Sequence, residues 1–128
     1  MKTAFRISSR VVVRLKVGQS DLISGHRQYG IDINASGRHG LIIQGNYIGT
    51  DSTGTVAIGN HDAGINIGNM IDSLIADNLI SGNQGFGIHL FGISASASQG
   101  TIIRNNRIGT DVSGAAPLGN GEVGIYID

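Results

Sequence analysis

The strongest constraint on the fold of this chain is an internal repeat. Residues 41–67 and 101–127 align without a gap at an offset of 60, and they share Ile-Gly-Thr-Asp, a later Gly-Asn pair and a final Gly-Ile-x-Ile. A second pair of segments, residues 20–33 and 77–90, aligns at an offset of 57. The chain is therefore two copies of a two-part unit, which is typical of proteins whose repeats pack on their neighbours.

Composition limits each unit to β-structure. Glycine supplies 21 of the 128 residues, and a glycine inside a helix costs about 1 kcal/mol relative to alanine. The glycines show no G-X-Y period and proline occurs once, which excludes collagen. The 20 isoleucines and the 40% share of apolar residues argue against disorder. We therefore expect an all-β chain with many tight corners.

The apolar runs have the length of strands in a wound solenoid. Each part of the unit contains runs of three to five residues and closes with Gly-Ile-x-Ile or a close variant, which alternates with period two. In a solenoid, equivalent strands of successive coils pair in parallel about 4.8 Å apart, so equivalent side chains stack in columns. The closing runs predict two inward columns, Ile31, Ile65, Ile88 and Ile125, and Ile33, Ile67, Leu90 and Ile127.

A repeated asparagine marks one corner of the predicted solenoid. Asn46, Asn78 and Asn106 each stand two residues before an isoleucine. Stacked on one another, their amides can bond the neighbours above and below and the backbone groups that the bend leaves unpaired. We therefore predict that these three residues form a structural ladder.

Two of the repeats also resemble a known family. The sequences NYIGTDSTGTVAIGNHDAGINI and NRIGTDVSGAAPLGNGEVGIYI resemble the repeats of right-handed parallel β-helix proteins of the pectin-lyase-like superfamily, in particular the IGTD-containing repeats of large secreted or surface-associated bacterial proteins. The resemblance covers residues 20–128 and implies a single-stranded, right-handed parallel β-helix of about four coils. It does not specify the function, because that solenoid carries lyases, hydrolases, epimerases, tailspikes and adhesins.

Residues 1–19 differ in charge from the rest of the chain. They carry five basic residues and no acid, whereas residues 21–128 carry four bases and nine acids, a net charge of −5. We expect residues 1–19 to be a basic leader, a partial N-terminal cap or a first coil. The run Val11-Val12-Val13 is shorter than the apolar core of a signal peptide, about 7 to 15 residues. The resemblance implies an extracellular or cell-surface location, but this chain shows no export signal of its own.

The charge and hydropathy patterns exclude two classes of partner. The acidic body of the chain argues against nucleic acid. No run of about 18 apolar residues is present, so we expect no membrane insertion.

The outward position of the closing runs supplies the candidate binding residues. Asp32, Asn66, His89 and Tyr126 are predicted to form one exposed polar column, each with a different side chain. A column of hydrogen-bonding groups that ends in an aromatic ring is suited to a sugar. The alternative is a solvated face that only needs polar residues.

The repeated aspartates of Ile-Gly-Thr-Asp are weak candidates for a metal site. Asp51 and Asp111 are expected to cap the loops that follow them through Asx-type hydrogen bonds. The alternative is calcium at each loop; two coils, about 10 Å, separate the pair, so the two cannot share one ion. We otherwise expect no cofactor.

No catalytic residue is assigned. His89 has no nucleophile and orienting group beside it, and lysine, a base that a lyase would use, is absent after residue 16. We therefore predict a non-catalytic structural or binding module of an extracellular or surface protein, with carbohydrate or protein as ligand. The alternative is a polysaccharide lyase, hydrolase or epimerase, or a remnant of one.

Self-association is a further expectation. Ile42, Leu74 and Ile102 are predicted to stack on the outside of the solenoid as an apolar stripe, unless residues 91–100 cover them. The solenoid also shows no polar cap at its ends, which would leave unpaired strand edges. Copies are therefore expected to associate by end or side stacking, or the chain is part of a longer array.

Overall fold

The computed structural model of the chain describes residues 5–7, 16–17, 21–92 and 100–128, with the backbone alone described at 5–7, 16–17, 35–39 and 70. All regular elements in these ranges are β-strands, and the described residues contain no helix. This agrees with the high glycine content and the short apolar runs. The prediction of an all-β chain is confirmed.

Ten of the described strands have only two or three residues. In chain order they are β1 (Phe5–Ile7), β2 (Lys16–Val17), β3 (Leu22–Ile23), β4 (Ile31–His39), β5 (Ile42–Gln44), β6 (Tyr47–Ile48), β7 (Ala63–Ile71), β8 (Leu74–Ala76), β9 (Leu79–Ile80), β10 (Phe86–Phe91), β11 (Ile102–Arg104), β12 (Arg107–Ile108) and β13 (Ile125–Ile127). Strands β4 and β7 extend to nine residues. They run beyond the four-residue closing runs that the repeat predicts, with a register irregularity between Asn34 and Arg38.

The strands form three sheets in which every pairing is parallel. The first sheet has the order β1-β4-β7-β10-β13, the second β2-β5-β8-β11 and the third β3-β6-β9-β12. Parallel neighbours cannot be joined by a tight hairpin, and the chain visits the three sheets in rotation before it returns to the first. This course is compatible with a β-solenoid. Within residues 1–19, β1 pairs with β4 and β2 with β5; the remainder of that segment lies outside the described residues.

Stacked isoleucines form the core. The first sheet aligns Ile31 with Ile65 and Ile88, and Ile33 with Ile67 and Leu90, and all six side chains are buried. Each buried isoleucine contributes about 1.5–3 kcal/mol. Ile125 and Ile127 continue the two columns in register with Ile88 and Leu90, but they are 39% and 56% exposed because β13 is the last strand of the sheet described.

The glycine that opens each closing run lies where two passes of the chain approach closely. A Cβ atom on Gly64 would lie 2.8 Å from the carbonyl oxygen of Gly87 and 2.8 Å from Nδ2 of Asn83. Gly30 has the same relation to the carbonyl oxygen of Gly64 and to the side chain of Asn60. These positions therefore require glycine for space.

The second sheet carries the predicted apolar stripe. Ile42, Leu74 and Ile102 align in register on β5, β8 and β11, next to the inward Ile43, Ile75 and Ile103. Ile42 and Leu74 are half-buried, whereas Ile102 is 55% exposed. Residues 93–99, most of the segment expected to cover the stripe, lie outside the described residues.

Candidate functional site

The four predicted binding residues share one column of the first sheet. The strand register aligns Asp32 with Asn66, Asn66 with His89, and His89 with Tyr126. Because side chains alternate along a strand, these four project to the face opposite the isoleucine core. The expectation that the whole column is exposed was wrong for Asn66, which is 6% exposed because it lies between Asp32 and His89 and is bonded to both.

Hydrogen bonds join this column into a chain. Asn66 Nδ2 donates to Asp32 Oδ1 at 2.9 Å, which leaves Asn66 Oδ1 as the acceptor for His89 Nδ1 at 2.8 Å. His89 Nδ1 must therefore carry a proton. The other ring nitrogen, Nε2, lies 3.2 Å from Asp128 Oδ1. Both nitrogens of His89 thus have partners, which sets the orientation of its ring.

Aromatic rings surround His89. The rings of Phe86 and Tyr126 stack with centroids 5.0 Å apart and planes 9° from parallel. The His89 ring is 5.4 Å from each of them and 5.5 Å from Phe91. Stacked aromatic pairs contribute about 0.5–1.5 kcal/mol beyond the area that they bury. The polar column therefore ends in an aromatic surface.

A cavity of about 480 Å³ opens beside this surface. It is lined by Tyr29, His61, Asp62, Gln84, Gly85, Phe86, His89 and Glu122. Most of these residues belong to the corners that lead into β4, β7, β10 and β13. We call this space the corner cavity.

Backbone hydrogen bonds place Asp62 and Glu122, the two acids of the corner cavity, at equivalent positions in different passes of the chain. Phe86 N donates to Asp62 O at 2.9 Å, and Glu122 N donates to Gly85 O at 3.0 Å. Asp62, Gly85 and Glu122 therefore follow one another from one pass of the chain to the next. A Cβ atom on Gly85 would clash with the carbonyl oxygen of Asp62, so this position between the two acids requires glycine.

Negative charge dominates the electrostatics of the corner cavity. Burial raises the pKa of Tyr29, and the carboxylates of Asp62 and Asp32 raise that pKa further. His61 Nδ1 lies 3.1 Å from Asp62 Oδ1 in a pair that is largely exposed to solvent. No lysine or arginine whose side chain the structure describes lines the cavity.

The predicted asparagine ladder is hydrogen-bonded along its length. Asn46 donates from its backbone N and from Nδ2 to Asn78 Oδ1, at 3.0 and 3.2 Å. Asn78 donates in the same way to Asn106 Oδ1, at 3.0 Å for both bonds. Asn78 Nδ2 also reaches the carbonyl oxygen of Ile43, so each amide connects successive passes of the chain.

A second asparagine ladder, which the sequence analysis did not predict, is present in the structure. Asn60 donates from N and Nδ2 to Asn83 Oδ1 at 3.2 and 2.9 Å, and Asn83 donates likewise to Asn120 Oδ1 at 3.1 and 3.0 Å. The repeated Gly-Asn pair at 59–60 and 119–120 was the available signal. This ladder directly precedes the acids of the corner cavity, Asp62 and Glu122, and it fixes the backbone from which they project.

The loop aspartates Asp51 and Asp111 bond within their own loops. Thr53 Oγ1 donates to both oxygens of Asp51 at 2.8 Å, and Ser113 Oγ donates to Asp111 Oδ1 at 2.6 Å. These hydroxyls, with backbone amides of the same loops, lower the pKa of both carboxyl groups. Across the described ranges, no three His, Asp or Glu side chains are grouped to hold a metal ion.

No family model, curated protein or solved structure matches the chain at a significant level. Within the part of the chain that the structure describes, no helix is long and apolar enough to cross a membrane.

The sequence predicts His89 as a binding residue, but it does not predict the other residues that line the corner cavity. Tyr29 and Phe86 are equivalent residues, each directly before the glycine of a closing run, while Ala63 takes that place between them. Phe86 and Ala63 are paired in the sheet. A small residue between two aromatic residues at one repeat position is a signal that would have pointed to a cleft.

Proposed function

We propose that this chain is a non-catalytic carbohydrate-binding module of an extracellular or surface protein, built as a right-handed parallel β-helix of about four coils of the pectin-lyase-like type. The observation that carries the proposal is the corner cavity, in which aromatic faces and hydrogen-bonding groups converge on a rigid support. Such a combination of apolar walls with a few oriented polar groups is typical of ligand sites.

The aromatic residues suit the apolar face of a sugar ring. Phe86 lines the corner cavity, and its ring is held in place by Tyr126 at 5.0 Å. Because the pair is already stacked, a ligand that packs on it would order few additional side-chain torsions. The polar groups of Gln84 and Glu122 stand on the same cavity and supply hydrogen bonds to hydroxyl groups.

The bonding of His89 supports binding over catalysis. A general base needs a free nitrogen within hydrogen-bond reach of the proton that it removes. His89 Nδ1 is occupied by Asn66 and Nε2 faces Asp128. We therefore assign His89 to the support of the aromatic surface rather than to proton transfer.

Binding to immobilised glycans tests the proposal. Phe86→Ala is expected to weaken the binding of any glycan recognised by the wild type by about tenfold or more, because it removes the aromatic wall. Tyr47→Ala, the truncation of an aromatic residue on β6 of the third sheet, serves as the matched control and is expected to leave binding unchanged. Thermal unfolding of both variants shows whether they are folded. Binding that survives Phe86→Ala undiminished would contradict the assignment of this site.

A polysaccharide hydrolase is the second candidate. The observation in its favour is the pair Asp62 and Glu122 on one cavity, two strand spacings or about 10 Å apart at the backbone. Inverting glycosidases hold their two carboxyl groups about 6.5–9.5 Å apart. Release of reducing ends from a bound glycan, abolished by either Asp62→Asn or Glu122→Gln, would replace the binding module with an enzyme.

A further inference from the structure

Among the side chains that the structure describes, the corner cavity is lined by two carboxylates, Asp62 and Glu122, and by no lysine or arginine. Asp128 lies beside the cavity, next to His89. The described lining residues able to carry positive charge are His61 and His89, and each of them lies next to an aspartate. The described lining therefore favours a cationic ligand over an anionic one.

The arginines whose side chains the structure describes do not offset the charge of the two cavity acids. Arg6 aligns with Asp32 in the first sheet, and its side chain is not among those described. Arg27 stands two residues before Tyr29 on an exposed corner, but it is not among the residues that line the cavity. Arg104 and Arg107 lie on β11 and β12 of the second and third sheets. Among the side chains that the structure describes, no arginine or lysine thus faces the ligand space.

Aromatic residues reinforce the preference for positive charge. Tyr29 and Phe86 line the same cavity as the two acids. The face of an aromatic ring attracts an ammonium group that lies within about 6 Å of its centroid. A ligand amine in this cavity would meet carboxylates and aromatic rings together, whereas the carboxylate of a uronic acid would be repelled by both.

We propose that the corner cavity binds a glycan of amino sugars whose amines are free and protonated, and that Asp62 and Glu122 select it over N-acetylated and uronic-acid glycans. This inference rests on the proposed function, since it names the ligand class of the same site. It separates this chain from polyuronate-binding β-helices on the basis of the residues that line its cavity.

Titration with three oligosaccharides tests the inference. The probes are a β-1,4-linked glucosamine hexamer, its fully N-acetylated counterpart and a galacturonate hexamer, each measured by calorimetry at a pH at which the amines are protonated. The glucosamine hexamer is expected to bind about tenfold more tightly than the N-acetylated one, and the galacturonate hexamer least tightly. Because the preference is electrostatic, it is expected to shrink when the salt concentration is raised from 0.05 to about 0.5 M.

Variants assign the selectivity to the two acids. Glu122→Gln and Asp62→Asn are each expected to weaken binding of the glucosamine hexamer several-fold and binding of the N-acetylated hexamer less, because only the first ligand loses a charge interaction. Asp72→Asn removes the same charge at an exposed position that does not line the cavity, and is the control. An equal loss in Asp72→Asn would mean that the acidic chain attracts polycations in general, and would overturn the site.

The remaining outcomes separate the inference from the proposed function. Equal affinity for the free and N-acetylated hexamers, or tighter binding of galacturonate, overturns the selectivity but keeps a carbohydrate site. If none of the three hexamers binds and no immobilised glycan binds either, the proposed carbohydrate-binding function itself is wrong. Tight binding of the amine hexamer that Glu122→Gln and Asp62→Asn both weaken supports both.

Discussion

The Ile-Gly-Thr-Asp loops and the corner cavity use acidic residues in opposite ways. In the loops, Asp51 and Asp111 recur at the same repeat position and accept hydrogen bonds from hydroxyls and amides of their own loops. At the corner cavity, Asp62, Gly85 and Glu122 occupy the same position in successive passes of the chain. The side chains of the two acids line open space. Acids that are the same in both repeats bond within their loops, whereas the acids at a position that varies between passes line the corner cavity.

The same contrast holds for the other columns. The two asparagine ladders are nearly uniform, and their amides bond the chain above and below. The column of Asp32, Asn66, His89 and Tyr126 has four different side chains and leads to the aromatic surface. Within this chain, uniform columns mark the structural parts and mixed columns mark the candidate site.

Removal of an asparagine side chain from a ladder is expected to have the largest effect on stability. Asn83→Ala deletes the acceptor of two bonds from Asn60 and the Nδ2 donor to Ile48 O and Asn120 Oδ1, at a side chain that is 1% exposed. Because buried groups lose their partners, the free energy of unfolding is expected to fall by about 3 kcal/mol. Denaturant unfolding measures the change.

Asn34→Ala, at an exposed asparagine of β4, is the control for the ladder and is expected to change stability by less than about 0.5 kcal/mol. Similar effects of the two substitutions would break the comparison, because buried and exposed asparagines would then contribute alike.

The corner glycines provide the next test. In Gly64→Ala the new methyl group would meet Gly87 O and Asn83 Nδ2 at 2.8 Å, so crowding is expected to lower the free energy of unfolding by about 1–3 kcal/mol. Gly119→Ala adds the same methyl group where nothing lies within 4 Å, and is expected to be neutral or slightly stabilising. Thermal or denaturant unfolding of the pair gives the difference. If Gly64→Ala were as stable as Gly119→Ala, close approach would not explain the repeated glycine.

The contrast between uniform and mixed columns also explains which parts of the structure can be predicted from the sequence. The all-β class and the inward isoleucine columns are readable because one residue type recurs at one spacing. The corner cavity is not readable in this way, since Tyr29, Asp62, Phe86 and Glu122 are separated in sequence by up to 93 residues and meet only when successive passes stack. No single segment carries a motif for it. Asn60, Asn83 and Asn120 were missed for another reason: the loops that precede them differ in length.

The matched removal of two acids is the test with the smallest expected effect. Asp111→Ala deletes the acceptor of the bonds from Ser113, Gly114 and Ala116. Because these bonds lower the pKa of Asp111 below its ordinary 3.8, its contribution is fully present above pH 3.8 and disappears as the pH falls through the lowered pKa. Wild type and Asp111→Ala are therefore expected to differ in unfolding free energy near neutral pH and to converge in acid.

Glu122→Ala completes the comparison, because it removes an exposed carboxylate that lines the corner cavity. Its stability near neutral pH is expected to stay within about 0.5 kcal/mol of the wild type. Unfolding curves of the two variants, collected in parallel from pH 7 to below pH 3, measure both effects. A loss of stability in Glu122→Ala as large as that in Asp111→Ala would mean that the cavity acid also stabilises the fold, and the contrast between the loop acids and the cavity acids would fail.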